Sequence, residues 1–314
     1  MQFPLQMCCL SALLLILGCN SAYRTTTREL GIPDAERTVE EGKVRLVAPA
    51  GSPVQTFEFT VGQRPAFIDG ISYYLNRPAG TRNLSRDDIR ILRAALLAPV
   101  VSKQTLNLLI DPGHGGTDSG CRKGDMHEQK ITLAIAREVQ AILKAKGHNV
   151  NLTRPNEKTT RTLDERTQLG ASLKIDAFVS IHVNASANPE AKGVETYTLP
   201  AFGCEGTLPN SPARGPLAGH AHVVTSTRLA YYVHQALLAK DEATSGAITV
   251  ADRGVRHAHF KVLRDTPAPA ILIETGFITN AEDFARITDV AQQKQIANQI
   301  VEGILKAFGS MNTK

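Results

Sequence analysis

The feature that most constrains this chain is a short apolar run that stops abruptly. Leu106 and Leu108–Ile110 form a stretch of strand length, and it ends in Asp111-Pro112-Gly113-His114-Gly115-Gly116. A run of that length, cut off by Pro and Gly, reads as a strand buried on both faces of an α/β sheet. Residues just past the carboxyl end of such a strand are where open α/β sheets build their sites. His114 lies there, and the glycines around it leave room for a ligand to approach the backbone. Taken alone, an H-G-G turn is a strand-to-loop bend with an incidental histidine.

Beyond that run, strands and helices alternate. Ile131, Ile135, Val139 and Ile142 share one face of a helix over Lys130–Lys146, stopped at Gly147. Asn149–Thr153 reads as a strand, Leu163–Lys174 as a short helix, and Ala177–His182 and Val194–Leu199 as strands. Residues 226–240 return to helical spacing, and Phe260–Leu263 and Ala270–Glu274 to strand. Asn280, with Asp283 three residues on, caps a helix, and the last helix repeats Ile296, Ile300 and Ile304 up to Gly309. The alternation predicts a three-layer α/β domain with a largely parallel sheet over residues 104–314. Pro200, Pro209, Pro212 and Pro216 exclude one continuous helix over Pro200–Thr225. That stretch is expected to border the substrate groove, not to plug it.

Upstream, the first 18 residues are apolar but too short to span a membrane, and they read as a signal peptide. Ile16-Leu17-Gly18-Cys19 resembles the lipobox of bacterial lipoproteins, in which cleavage before a Cys is followed by its acylation. An ordinary cleaved signal is the alternative, because residues 1–18 contain no Lys or Arg. Both readings export the chain to the periplasm or cell envelope, and the first anchors it to the membrane through Cys19. Residues 19–42 are polar and aperiodic, as expected of a tether. Over residues 43–100, Val44, Leu46, Phe57, Phe59 and Val61 alternate with other residues, as do Ile71, Tyr73 and Leu75. Ser85 and Asp88 then open a helix, so the segment reads as a small β-β-α accessory module. Cys121 and Cys204 remain after processing, and an exported pair permits a disulfide without requiring one.

Composition excludes little but does exclude something. The net charge of +5 suits an acidic polymer or surface as partner, yet no basic block with interleaved aromatics points to nucleic acid. With 42% hydrophobic and 21% charged residues, the chain is ordinary for a globular protein.

Chemistry enters with the polar residues at the strand ends. His114 follows the first strand, His182 closes Ala177–Ile181, Glu128 opens the helix after the first strand, and Glu274 ends Ala270–Ile273. A parallel sheet would bring all four to one edge. Two His and one carboxylate are the ligands expected of a catalytic zinc that keeps a position for water. A second carboxylate off the metal is then needed to carry the proton, and Glu274 is the candidate. No H-E-x-x-H helix is present, which excludes thermolysin-type proteolysis.

The motifs together are more specific than any one of them. Asp111–Gly116, Glu128, Leu152–Arg154, Leu163–Arg166, Ser180–Ala185, Gly193–Tyr197, Arg253–Val255 and Glu274–Asn280 resemble, in order, the zinc-dependent N-acetylmuramoyl-L-alanine amidases. The resemblance runs from about Leu106 to Phe308. It implies one zinc ion on His114, Glu128 and His182, with Glu274 as catalytic acid/base. The implied substrate is peptidoglycan, cut between the lactyl group of N-acetylmuramic acid and L-alanine. Asn184 and Glu195 match motif positions, as structural or substrate-contacting groups. Arg154 and Arg166 read as structural ion-pairing residues, and His257 and His259 lie where a substrate could be met. Two rivals stand beside this reading: a zinc peptidase or deacylase acting on another amide, and a non-catalytic wall-binding lipoprotein of the same fold. Whether a protein activator is needed stays open.

Overall fold

The computed structural model describes residues 27–32, 34–80, 84–100, 102–239 and 250–309. The predicted signal peptide and Cys19 lie outside them. The chain divides into two compact units, one running to Gly70 and resuming over Leu75–Ala98, the other made of Ile71–Tyr74 and everything from Pro99.

The first unit holds strands β1 (Glu36–Glu40), β2 (Lys43–Val47), β3 (Thr56–Thr60) and β4 (Pro65–Ile68), paired in sequence as an antiparallel meander. Val44, Leu46, Phe57 and Phe59 point to one buried face, as the period of two requires. The alternation between Val44 and Val61 therefore belongs to two strands: the chain turns back between Val47 and Thr56, and pairing Val44 with Phe59 and Leu46 with Phe57 puts both sets on one face. β1 falls within the residues expected to be a tether. Helix α1 (Arg86–Leu92) starts where Ser85 caps it, its hydroxyl accepting from the Asp88 amide.

The second unit contributes β5 (Ile71–Tyr74), β6 (Asn107–Pro112), the short hairpin β7 (Arg122–Lys123) and β8 (Met126–His127), and helix α2 (Glu128–Ala145). There follow β9 (Asn149–Leu152), α3 (Leu163–Leu173), β10 (Ala177–Asn184), β11 (Val194–Thr198) and α4 (Val223–Leu238). The chain closes with β12 (Asp252–His257), α5 (Lys261–Arg264), β13 (Ala270–Phe277), α6 (Ala281–Thr288) and α7 (Val290–Ala307). The strands of this unit lie in the order β5-β12-β11-β13-β10-β6-β9. β9, β6, β10 and β13 run parallel, as do β11, β12 and β5, and the two blocks meet antiparallel at β11 and β13. The sheet is thus largely parallel with helices against it, as expected. Leu108–Ile110 and Ala177–Ile181 are fully buried, which is why they read as unbroken apolar runs.

One strand prediction fails. Phe260–Leu263 is not a strand: residues 261–264 are the short helix α5, whose Val262 and Leu263 pack into the core with Phe178, Tyr197 and Leu199. The strand lies earlier, in Asp252–His257, where two arginines and a glycine hide it from any apolar pattern. Residues 200–217 are irregular, and Ala218–His222 form a 3-10 turn. Thr207 pins this stretch to β12, donating from its backbone nitrogen to the His257 carbonyl. Since β11 is antiparallel to β13 with Glu195 opposite Glu274 and Tyr197 opposite Leu272, it leaves the sheet toward the beginning of β13, away from the Glu274 end.

Candidate metal centre

The site forms where three elements end or begin. His114 lies two residues past β6, Glu128 is the first residue of α2, and His182 lies near the end of β10. Parallel pairing of β6 with β10 puts Pro112 beside Ile181, so the two histidines emerge at the same sheet edge. Glu128 Oε2 is 3.2 Å from His114 Nε2, and Glu128 Oε1 is 3.0 Å from His182 Nδ1. One ligand atom from each of the three lies within 4.8 Å of the others, the spacing of a single metal ion. Backbone amides of Cys121 and Val183 also donate to Glu128, at 3.0 Å each.

Glycine makes this approach possible at two positions. A Cβ on Gly113 would stand 2.5 Å from the His182 ring, and one on Gly120 would stand 2.5 Å from Glu128 Oε2. Gly120 also has φ of +67°, so both backbone and space call for glycine there.

The electrostatics follow from burial. Glu128 keeps only 4% of its side chain exposed. Burial alone would raise its pKa, but the hydrogen bonds and charges of His114 and His182 override that and hold it far below its ordinary value. Burial likewise opposes charge on His114, yet Glu128 and then Asp118 raise its pKa. Asp118 Oδ2 sits 2.8 Å from His114 Nδ1, fixing the ring so that Nε2 faces Glu128. Sequence reasoning passed over Asp118, because nothing marks a loop aspartate four residues from a histidine as its partner.

Behind the three candidate ligands stands a buried polar frame. Asp111 accepts from Arg166 Nη1 and Thr153 Oγ1, both at 2.5 Å, and from Ser180 Oγ at 2.7 Å. Arg166 Nη2 donates to the His114 carbonyl at 2.6 Å, holding that residue at φ of +60°, a left-handed conformation rare outside glycine. Arg166 is the ion-pairing residue expected. Arg154 is structural in another way: it bonds the carbonyls of Pro112, Gly113 and Gln129. Burial, and then repulsion by Arg166, bring its pKa down to about 10.

Glu274 sits beside this cluster without joining it. It pairs in register with His182 on one side and with Glu195 on the other. Its Oε2 is shielded from solvent and has no hydrogen-bond partner among the described residues. Burial first, then the charges of Glu128 and Glu195, push its pKa well above the usual carboxylate range. Glu195 is 2% exposed and accepts from Arg253 Nε, Arg256 Nη1, Tyr197 Oη and Asn184 Nδ2. Asn184 and Glu195 therefore meet each other next to Glu274. His257 and His259 have partners of their own: His257 Nε2 lies 2.7 Å from the Tyr74 carbonyl, and His259 Nδ1 lies 3.1 Å from Ser211 Oγ. Cys121 and Cys204 are not joined in a disulfide.

The family model described as N-acetylmuramoyl-L-alanine amidase (Amidase_3) matches residues 108–306. The chain belongs to that amidase family. Among its amidase relatives, AmiC of Neisseria meningitidis is 32% identical over 217 residues, covering 63% of this chain and 51% of that protein. LytC of Bacillus subtilis is 31% identical, covering 67% of this chain and 36% of that protein. This chain therefore spans about half the length of the first relative and about a third of the second. Among solved amidase structures, AmiC2 of Nostoc punctiforme superposes with a TM-score of 0.52 at 34% identity, covering 66% of this chain and 98% of that one. An amidase of Clostridium difficile 630 gives 0.54 at 29% identity, covering 67% and 100%.

Proposed function

We propose that the chain is a zinc-dependent peptidoglycan hydrolase. It cleaves the amide between the lactyl group of N-acetylmuramic acid and L-alanine, in wall remodelling or daughter-cell separation. The observation that carries this reading is a two-His, one-carboxylate cluster with a separate, shielded carboxyl group on the neighbouring strand.

The donor set fits the ion. Glu128 is a buried charge whose side-chain partners are His114 and His182, and a dication between them would neutralise what burial makes costly. His114, Glu128 and His182 would hold one Zn²⁺. When bound, zinc supplies Lewis-acid polarisation of the scissile carbonyl and acidifies a water. Asp118 keeps His114 in the tautomer that turns Nε2 inward. Glu274 takes a proton from the attacking water and hands it to the leaving amine. Its raised pKa suits a group that must both accept and deliver a proton. Glu195, held by its two arginines, is the fixed negative neighbour that strengthens the affinity of Glu274 for the proton it takes up. A wall-binding protein without activity would be expected to have lost a ligand or Glu274, and all four are present. We further propose that the chain is exported and anchored through an acylated Cys19.

The test is mass analysis of defined muropeptides incubated with zinc-loaded protein, chelated protein, and Glu274→Gln. Free stem peptide beginning with L-alanine, released only by the zinc-loaded wild type, is the expected product. Cleavage at another amide would assign the protein to the rival peptidase reading, and no cleavage at any zinc concentration would sink the hydrolase.

A further inference from the structure

β5 precedes the family domain in sequence, since the family match begins at residue 108. Yet Ile71–Tyr74 belongs to the same compact unit as the metal centre. β5 runs parallel to β12, with Tyr73 opposite Val255. The Ser72 amide donates to Asp252 Oδ2 at 2.7 Å. At Gly254, φ is +93° and a Cβ would come within 3.1 Å of Ser72 and 3.2 Å of the Tyr74 ring, so a side chain there would strain the backbone and crowd β5.

Tyr74 then meets the polar frame of the site. The Arg256 guanidinium lies over the Tyr74 ring, 4.9 Å from its centroid. Arg256 Nη1 holds Glu195 at 2.8 Å, while its Nε is buried with no hydrogen-bond partner among the described residues, leaving the aromatic face as support for that side of the group. The strand register shifts between Val194 and Thr196, and this lets Arg253 as well as Arg256 reach the same Glu195 oxygen. Glu195 in turn stands opposite Glu274.

We propose that Tyr74 is a positioning residue for the catalytic pocket. Supplied by a strand outside the family domain, it seats Arg256 so that Glu195 keeps its place beside Glu274. The inference rests on the amidase reading of Glu274.

The test compares Tyr74→Ala and Tyr74→Phe in the full chain, on a soluble muropeptide and by hydrogen exchange. Loss of the ring should lower kcat about three- to thirtyfold, the range of a partly desolvated cation–aromatic contact, with KM changed by less than about twofold and zinc content equal to wild type. Tyr74→Phe keeps the ring and should restore wild-type turnover. In a Glu195→Gln background, Tyr74→Ala should cost little further. Amides of Val255–His257 should exchange faster in Tyr74→Ala but not in Tyr74→Phe, while those of β6 and β10 stay protected. Unchanged kcat in Tyr74→Ala, failure of Phe to rescue, or a parallel fall in zinc content would overturn the proposal. A wild type without amidase activity would remove the amidase reading. Exchange at β12 would then still decide the link, and unchanged protection there in Tyr74→Ala would overturn it.

Discussion

Asp111→Ala should be damaging behind the candidate metal site, through stability first and metal binding second. Asp111 and Arg166 keep only 1% and 5% of their side chains exposed, so solvent screens their pairing little. Removing the carboxylate strands the guanidinium and deprives the Thr153 and Ser180 hydroxyls of their acceptor. Breaking one side of a buried pair costs about 3–5 kcal/mol. At about 2–4 °C per kcal/mol for a unit of this size, the midpoint of thermal unfolding should drop by about 6–20 °C. Because Arg166 also bonds the His114 carbonyl, zinc occupancy should fall at temperatures where the variant is still folded. Acid supplies a second signature. Burial opposes the charge on Asp111, but Arg166 and the two hydroxyls leave its folded pKa depressed. Its contribution is therefore present above the unfolded value of about 3.9 and lost as pH falls through the folded one. The wild type should lose stability over that acid window, and Asp111→Ala should lose less. Denaturant titrations from pH 6 downward measure both slopes. A midpoint shift below about 2 °C, the equivalent of less than about 1 kcal/mol, would refute the reasoning. So would a double variant, Asp111→Leu with Arg166→Met, no more stable than Asp111→Leu alone, since removing the orphaned charge should restore stability.

Gly120→Ala should fold but bind zinc weakly, because its Cβ would collide with Glu128 Oε2; Gly124→Ala, at φ of +56° with nothing within 4 Å, is the control for backbone strain, and equal zinc content in the two would reject the close-approach argument. Glu274→Gln should keep its zinc while turnover drops about 10²–10⁴-fold, and metal loss in that variant would make Glu274 a ligand. Cys19→Ala should abolish incorporation of a labelled fatty acid, whereas labelling that persists would leave export without a lipid anchor.

The four candidate site residues stand out in the sequence because each lies at a junction between a buried apolar run and a glycine-rich or helical start. Local pattern suffices to find such junctions. Asp118 and Gly120 were not legible: their roles exist only because the loop after His114 folds back so that its backbone touches Glu128. Asp252–His257 escaped because a strand whose side chains serve a buried carboxylate carries arginines where an apolar pattern is sought. Phe260–Leu263 misled for the converse reason, since a short helix can bury the same apolar residues a strand would.

By itself the sequence determined the alternation of strands and helices, the ends of the central strands, and so the edge at which two histidines and two glutamates gather. Those depend on periodicities over a few residues. Only the tertiary structure decided which strands are neighbours. Glu195 faces Glu274 because β11 runs against β13, Asp111 meets Arg166 across 55 residues, and Tyr74 reaches Arg256 from a strand laid down long before it. Charge and hydrogen bonding depend on distances of a few ångströms, and sheet order and register set those distances.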